Sequence, residues 1–301
     1  HLSDENTWFF LFLIKAMAAV SALFHDWGKS SALFQEKLSS TTKRNKLGDP
    51  VRHEWISCLL FSSFVNSAGG GDLEWLAMLS RDETSSNDIV KGALELREKR
   101  KVFDDLPPFA GLVLWLICAH HKIPYSKEDF RGDPCKELKQ LLALLRPSWG
   151  YENNIDDIQQ QKRFARCFEF PKGLPSDSPQ WRMQAKKWAT RAIDALPLLE
   201  KSMEKGLWRG VLVFSRLALM LGDHYYSSCD ADEKWESSLD LFANTDKDNN
   251  LKQRLDEHIV WVEKSALEIS HMLPVFESEL DVARDVLSLK NKSPYGSFFY
   301  W

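Results

Sequence analysis

The chain is 301 residues long, 44% hydrophobic and 27% charged, with a formal net charge of −4. That length and apolar content suffice for a sizeable buried core. The acidic balance excludes a chain that grips nucleic acid through an overall basic field, so any phosphate-binding ability must come from a local site, a bound cation or further sequence.

Helical periodicity recurs along the chain, whereas period-2 alternation is scarce. The first helix is expected over 8–25. Its stretch "WFFLFLIKAMAAVSALF" (8–24) is the one membrane suspect, but it contains Lys15 and runs straight into His25-Asp26. It reads as a helix buried in a soluble core, not as a span. Helices follow over 30–39, 53–66, 73–80, 87–101, 108–121, 134–145 and 155–167, with "GGGD" (69–72) and "SRDETSSND" (80–88) as turn material and "DLPPF" (105–109) opening a helix. "EFPKGLPSDSPQ" (169–180) is the strongest break. Beyond it, helices are expected over 179–194, 196–204, 207–228, 233–241, 248–270 and 275–289. No internal repeat is visible. The expectation is one all-α domain spanning 1–301 with a loop-rich middle. The aromatic tail "KNKSPYGSFFYW" (290–301) reads either as a short docked tail or as the edge of a longer chain.

Cys58, Cys118, Cys135, Cys167 and Cys229 are odd in number, widely spaced and form no CxxC. This argues against a disulfide framework or a zinc ribbon and fits a reducing cytoplasm. No signal-peptide pattern is present.

The histidines are placed unusually. "ALFHDWGK" sets His25 and Asp26 at the end of an apolar helix, and "DPVRHEWISCLLF" sets His53 at the start of another. "GLVLWLICAHHKIPYS" ends on His120-His121, and "GVLVFSRLALMLGDHYYSS" places Asp223 near the end of a fourth. Any one such histidine is adequately explained as a capping or core residue. Three histidine-bearing helix ends plus an acidic one read as a metal site. The spacing is far too long for a zinc finger, so the site must be assembled by packing in a helical bundle. His224, beside Asp223, reads as a supporting partner of the site or a DNA contact, and His258 and His271 read as structural or exposed.

The order H-D, H, H-H, D on an all-helical chain resembles the HD superfamily of metal-dependent phosphohydrolases. "FHDWGKSSALFQEKL", "RHEWIS" and "GDHYYSS" narrow the resemblance to the HD nuclease domain of the CRISPR-associated type I helicase–nuclease. "SALFHDWGK" and the long insert between His53 and His120 are similar to the type I-F version. One departure is that many HD nucleases carry an earlier histidine on a helix. His1 is the one candidate here, and it is open whether it is a ligand or a boundary residue.

The resemblance implies an HD-domain helical bundle with a dinuclear site at converging helix ends. It implies two divalent transition-metal ions, Mn, Fe, Co or Ni, with Mg as an alternative. His25, Asp26 and Asp223 would hold one ion, and Asp26, His53, His120 and His121 the other, with Asp26 bridging. Asp26 and Lys29 would be the catalytic pair. Lys29 is either a neutraliser of a phosphate oxygen or a solvated turn lysine, and Gly28 would allow the tight turn that brings it near. Ser227, four residues after Asp223, would hydrogen-bond a ligand or phosphate.

The implied activity is metal-dependent hydrolysis of single-stranded target DNA in type I CRISPR interference, in a prokaryotic cytoplasm and with no membrane partner. The implied partners are a helicase domain following in the same chain (290–301 being the approach to it), an RNA-guided surveillance complex and an adaptation subunit fused in front. The basic runs 96–101 and 182–191 would either line a DNA path or be solvated helix faces. The alternatives are a phosphohydrolase acting on small nucleotides and a degenerate HD interaction module.

Overall fold

The computed structural model describes residues 8–39, 48–99, 102–124, 138–150 and 158–279. The elements run α1 (Leu11–Phe24), a 3-10 turn (Trp27–Ser30), α2 (Ala32–Ser39), α3 (His53–Ser67), α4 (Asp72–Ser80), α5 (Ser86–Arg97) and α6 (Pro108–Ala119). There follow α7 (Leu138–Leu142), α8 (Pro147–Gly150), α9 (Ile158–Arg166), a 3-10 turn (Pro175–Asp177), α10 (Pro179–Glu204), α11 (Trp208–Ser228) and α12 (Leu255–Glu279). The architecture is all-α, as the periodicity predicts. Isolated antiparallel bridges pair Phe242 with Arg254 and Thr245 with Leu251.

Three expectations are corrected. The stretch 233–241 is not helical: it runs as turns and irregular backbone into the segment that those bridges close. The helix expected from 248 begins instead at Leu255, where buried Asp256 and Glu257 supply acidic first-turn side chains. The two helices expected over 179–194 and 196–204 are one, since α10 runs unbroken through Pro197. Parts of the helices expected over 134–145, 155–167 and 275–289, the tail 290–301 and Cys135 lie outside the described residues.

α1 is the central rod. It packs against α6, α10, α11 and α12, which explains why it is apolar on every face rather than on one stripe. The segment Leu11–Ser30 is long and apolar enough to cross a membrane, but 89% of its 18-residue apolar stretch is buried inside the protein. Five tryptophans, Trp27, Trp55, Trp75, Trp181 and Trp188, are fully buried around the bundle. Burying a large apolar side chain is worth about 1.5–3 kcal/mol, so these rings anchor the packing.

Several contacts lock helix ends. Trp27 and Trp181 both donate their indole N–H to the Leu23 carbonyl, at 2.9 and 2.7 Å. That carbonyl is in the last turn of α1 and has no intrahelical partner. Asp72 caps the start of α6, accepting from the Phe109 and Ala110 amides at 2.7 and 2.9 Å. Arg216 of α11 caps the other end of α6 by donating to the Ala119 carbonyl at 2.9 Å. The chain just after α1 and the C-terminal end of α6 are therefore held rigidly, and both carry histidine.

Candidate metal centre

His25 and His120 sit in the same local setting. Each follows its helix directly and donates Nδ1–H to the carbonyl three residues back, Ala22 for His25 and Ile117 for His120, both at 2.7 Å. The carbonyl accepts only, so Nδ1 carries a proton and Nε2 is the ring atom that points away from the helix. The two rings approach to 5.0 Å between centroids.

His53 opens α3 and reaches the same point because α3 packs directly on the 3-10 turn. The Gly28 amide donates to Ser57 Oγ at 2.8 Å, and a Cβ on Gly28 would lie 2.1 Å from the His53 carbonyl oxygen. Gly28 lies in the tight 3-10 turn that also carries Lys29, and its missing side chain makes room for this close approach. α11 and α12 also cross closely, since a Cβ on Gly222 would lie 2.7 Å from the Ala266 amide nitrogen. That crossing sets Asp223 beside His258.

Two groups of donors result: Asp26, His53, His120 and His121, and His25, Asp26, Asp223 and His258. In each, one ligand atom per residue lies within 4.8 Å of every other. Asp26 belongs to both, and its two oxygens divide between them. Oδ1 lies 3.3 Å from His53 Nε2 and 3.8 Å from His120 Nε2. Oδ2 lies 3.2 Å from His25 Nε2 and 3.4 Å from His258 Nε2. Asp223 Oδ1 stands 3.9 Å from His25 Nε2 and 3.3 Å from His258 Nε2, while Oδ2 stands 4.0 Å from His121 Nδ1. Ser227 donates to Asp223 Oδ1 at 3.2 Å, as its spacing predicts.

The donor set fits a metal. The Nε2 atoms of His25, His53, His120 and His258 are buried, converge, and satisfy no hydrogen bond. Four buried imidazole nitrogens without a hydrogen bond, crowded around two carboxylates, are costly unless something occupies the space between them. Nitrogen and carboxylate oxygen in this mix suit first-row divalent ions.

The electrostatics point the same way. Burial by itself would lower His25, but the Asp26 and Asp223 carboxylates beside it push it up to about 10. Burial, with His121 and His25 as neighbours, brings His120 down to about 3. Burial opposes ionisation of Asp26, yet His25 and Lys29 hold its carboxyl well below the usual range. Lys29 is not a solvated turn lysine: its Nζ lies 2.7 Å from Asp26 Oδ2, and its side chain is 11% exposed. The carboxylates thus collect positive charge from a proton and an ammonium, the same field a divalent cation would answer. Glu54 lies behind His53, 3.4 Å from its Nδ1; it is held down to about 2 because His53, His120 and Arg52 outweigh its burial.

Proteins of similar sequence carry a telling description. The chain is 36% identical over 285 residues to the CRISPR-associated nuclease/helicase Cas3 subtype I-F/YPEST of Pseudomonas aeruginosa, covering 92% of this chain and 25% of that protein. It is 34% identical over 309 residues to the protein of the same description from Pectobacterium atrosepticum, covering 98% of this chain and 27% of that one. This chain corresponds to a region of the Cas3 subtype I-F family. It spans about a quarter of the length of the curated Cas3 relatives it matches. No protein-family model matches it.

In this Cas3 region, the residues singled out by sequence, His25, Asp26, Lys29, His53, His120, His121, Asp223 and Ser227, all gather at one place. His1 lies outside the described residues. His224 and His271 are exposed, and His271 Nδ1 stands 2.8 Å from Lys15 Nζ. His258, read as structural or exposed, is instead fully buried inside the cluster. Its signal was the acidic pair Asp256-Glu257, which marks a helix start; with α12 beginning at Leu255, His258 is another histidine at a helix end. The basic runs are partly engaged in structure. Arg97 lies over the Phe164 and Phe168 rings, and Arg191 over Trp188.

Proposed function

We propose that this chain is a metal-dependent DNA nuclease domain that hydrolyses phosphodiesters of single-stranded DNA with two divalent cations. The observation that carries it is Asp26, one buried carboxylate whose two oxygens face two separate histidine groups. In this reading His53, His120 and His121 would hold one cation and His25, Asp223 and His258 the other, with one carboxylate oxygen of Asp26 facing each group. Two cations so placed supply Lewis acidity to a phosphodiester, an activated water at neutral pH and charge for the leaving oxygen. The chain's residues do the rest. His25 and His120 keep Nε2 free by donating Nδ1–H backwards, and Ser227 orients Asp223. Lys29, paired with Asp26 at the same site, brings an ammonium that can turn to a non-bridging phosphate oxygen.

The net charge of −4 fits a domain that does not grip DNA by itself. A helicase region in the longer protein would deliver the strand, in a prokaryotic cell and together with an RNA-guided complex. The relatives' description as CRISPR-associated nuclease/helicase supports this arrangement. The chain read as a single HD domain, 1–301, belongs to the same proposal.

The test is cleavage of circular single-stranded DNA by the purified chain. Slow cutting is expected, stimulated by Mn, Co or Ni, abolished by chelator, absent in Asp26→Asn and weak on intact duplex. Efficient cutting in chelator overturns the metal mechanism. Rapid hydrolysis of free nucleotides with no action on polymer favours a small-molecule phosphohydrolase instead.

A further inference from the structure

We infer that Gln253 is a positioning residue for the metal centre: through its side-chain amide it fixes the tautomer and ring angle of His258. This rests on the two-metal reading above and adds a residue to it.

The argument starts from acceptors that cannot donate. Gln253 is fully buried. Its Nε2 faces two backbone carbonyls, Tyr226 at 2.8 Å and Cys229 at 2.9 Å, both in the turn that ends α11. Carbonyls only accept, so both amide protons are committed there and the amide cannot be flipped. Oε1 must then face the other way, where it meets His258 Nδ1 at 3.0 Å and the Asn244 amide nitrogen at 2.7 Å. Because Oε1 only accepts, His258 must carry its proton on Nδ1. Its Nε2 is left with a lone pair, 3.3 Å from Asp223 Oδ1 and 3.4 Å from Asp26 Oδ2. Two carbonyls at the end of one helix thereby set, through one amide, the ligating atom on the next helix.

His258 needs this help where the other histidines do not. His25 and His120 follow the ends of helices and find a carbonyl three residues back. His258 lies in the first turn of α12, where the unpaired backbone groups are N–H and offer it no acceptor. The acceptor must come from outside the helix, and Gln253 supplies it. Gln253 is itself held firmly: its backbone N–H donates to Asn244 Oδ1 at 3.2 Å, and its backbone carbonyl accepts from the Ala243 N–H at 2.9 Å. The same segment is gripped from the other side by Gln35, which donates to the Phe242 and Lys29 carbonyls and accepts from the Phe242 amide. The segment around the two β bridges thus ties α2, the turn bearing Lys29 and His258 into one frame.

The test is titration with Co(II), followed by calorimetry and by its visible absorption. Wild type is expected to bind two ions. Gln253→Met, which keeps the bulk and removes the hydrogen bonds, should weaken one of them about 10–100-fold and leave the other unchanged. In a His258→Ala background, Gln253→Met should have no further effect on that affinity, an outcome a merely structural role would not give. A wild type that binds two ions and a Gln253→Met that binds both as tightly overturn the inference, as does an additive loss in the double variant. A wild type that binds no Co(II) overturns the two-metal reading itself. Should Gln253→Met not fold, long-range nitrogen–proton spectra of zinc-loaded wild type decide. His258 is expected with its proton on Nδ1, and a proton on Nε2 refutes the assignment.

Discussion

Replacing Gly28 with alanine tests how the site is assembled. The added Cβ would sit 2.1 Å from the His53 carbonyl oxygen and 3.0 Å from Ile56 Cβ, and the oxygen belongs to backbone that cannot swing aside. Ordinary contact begins at 3.4 Å, so α3 must retreat by about 1 Å in a tightly packed interior. Overpacking of this kind costs about 1–3 kcal/mol. The same retreat stretches the Gly28 amide to Ser57 hydrogen bond, now 2.8 Å, whose loss costs about another 1 kcal/mol. We expect a total of about 2–4 kcal/mol, read by urea denaturation at constant slope. Because His53 opens α3, its Nε2 moves with the helix by several times the roughly 0.2 Å that metal ligation tolerates. Mn(II) affinity of one site should fall sharply even in the fraction that is folded. Gly210→Ala is the control: it lies in α11 with nothing within 4 Å of the new Cβ, and should be neutral or stabilising by about 0.5–1 kcal/mol. Gly28→Ala that unfolds at the wild-type urea concentration and binds Mn(II) as wild type refutes the reasoning.

Three further outcomes are expected. His120→Ala and His121→Ala should each lower metal stoichiometry measured by plasma emission, while unchanged metal content in both would remove them from the ligand set. Gly222→Ala should force α11 and α12 apart at Ala266, cost about 1–3 kcal/mol, and weaken the site shared by Asp223 and His258, visible as lost metal affinity at one site. Cleavage of single-stranded DNA by this chain should fall steeply with added salt, since phosphate contacts carry most non-specific affinity; a flat salt profile between 50 and 200 mM would contradict it.

Much of this protein can be read in its sequence. Helical periodicity marks which residues face inward, and apolar runs that end on His25-Asp26 and His120-His121 or begin at His53 show where donors leave the core. Those signals are local: each needs only one helix and its end. Three features were not legible because they depend on two elements meeting. Gly28 and Gly222 look like turn or helix glycines, and only the packing of α3 on the 3-10 turn and of α12 on α11 shows that each makes room for a neighbour's backbone. His258 was hidden by a misplaced helix start, which put it in mid-helix when it lies in the first turn. Gln253 carries no motif at all, and its role arises from carbonyls 24 and 27 residues earlier in the chain. Periodicity specifies the face a helix presents but not where along its length another helix crosses it. A metal site is decided by distances between atoms on different helices, so most of the candidate ligands could be named from sequence while His258 waited on the crossing of α11 and α12.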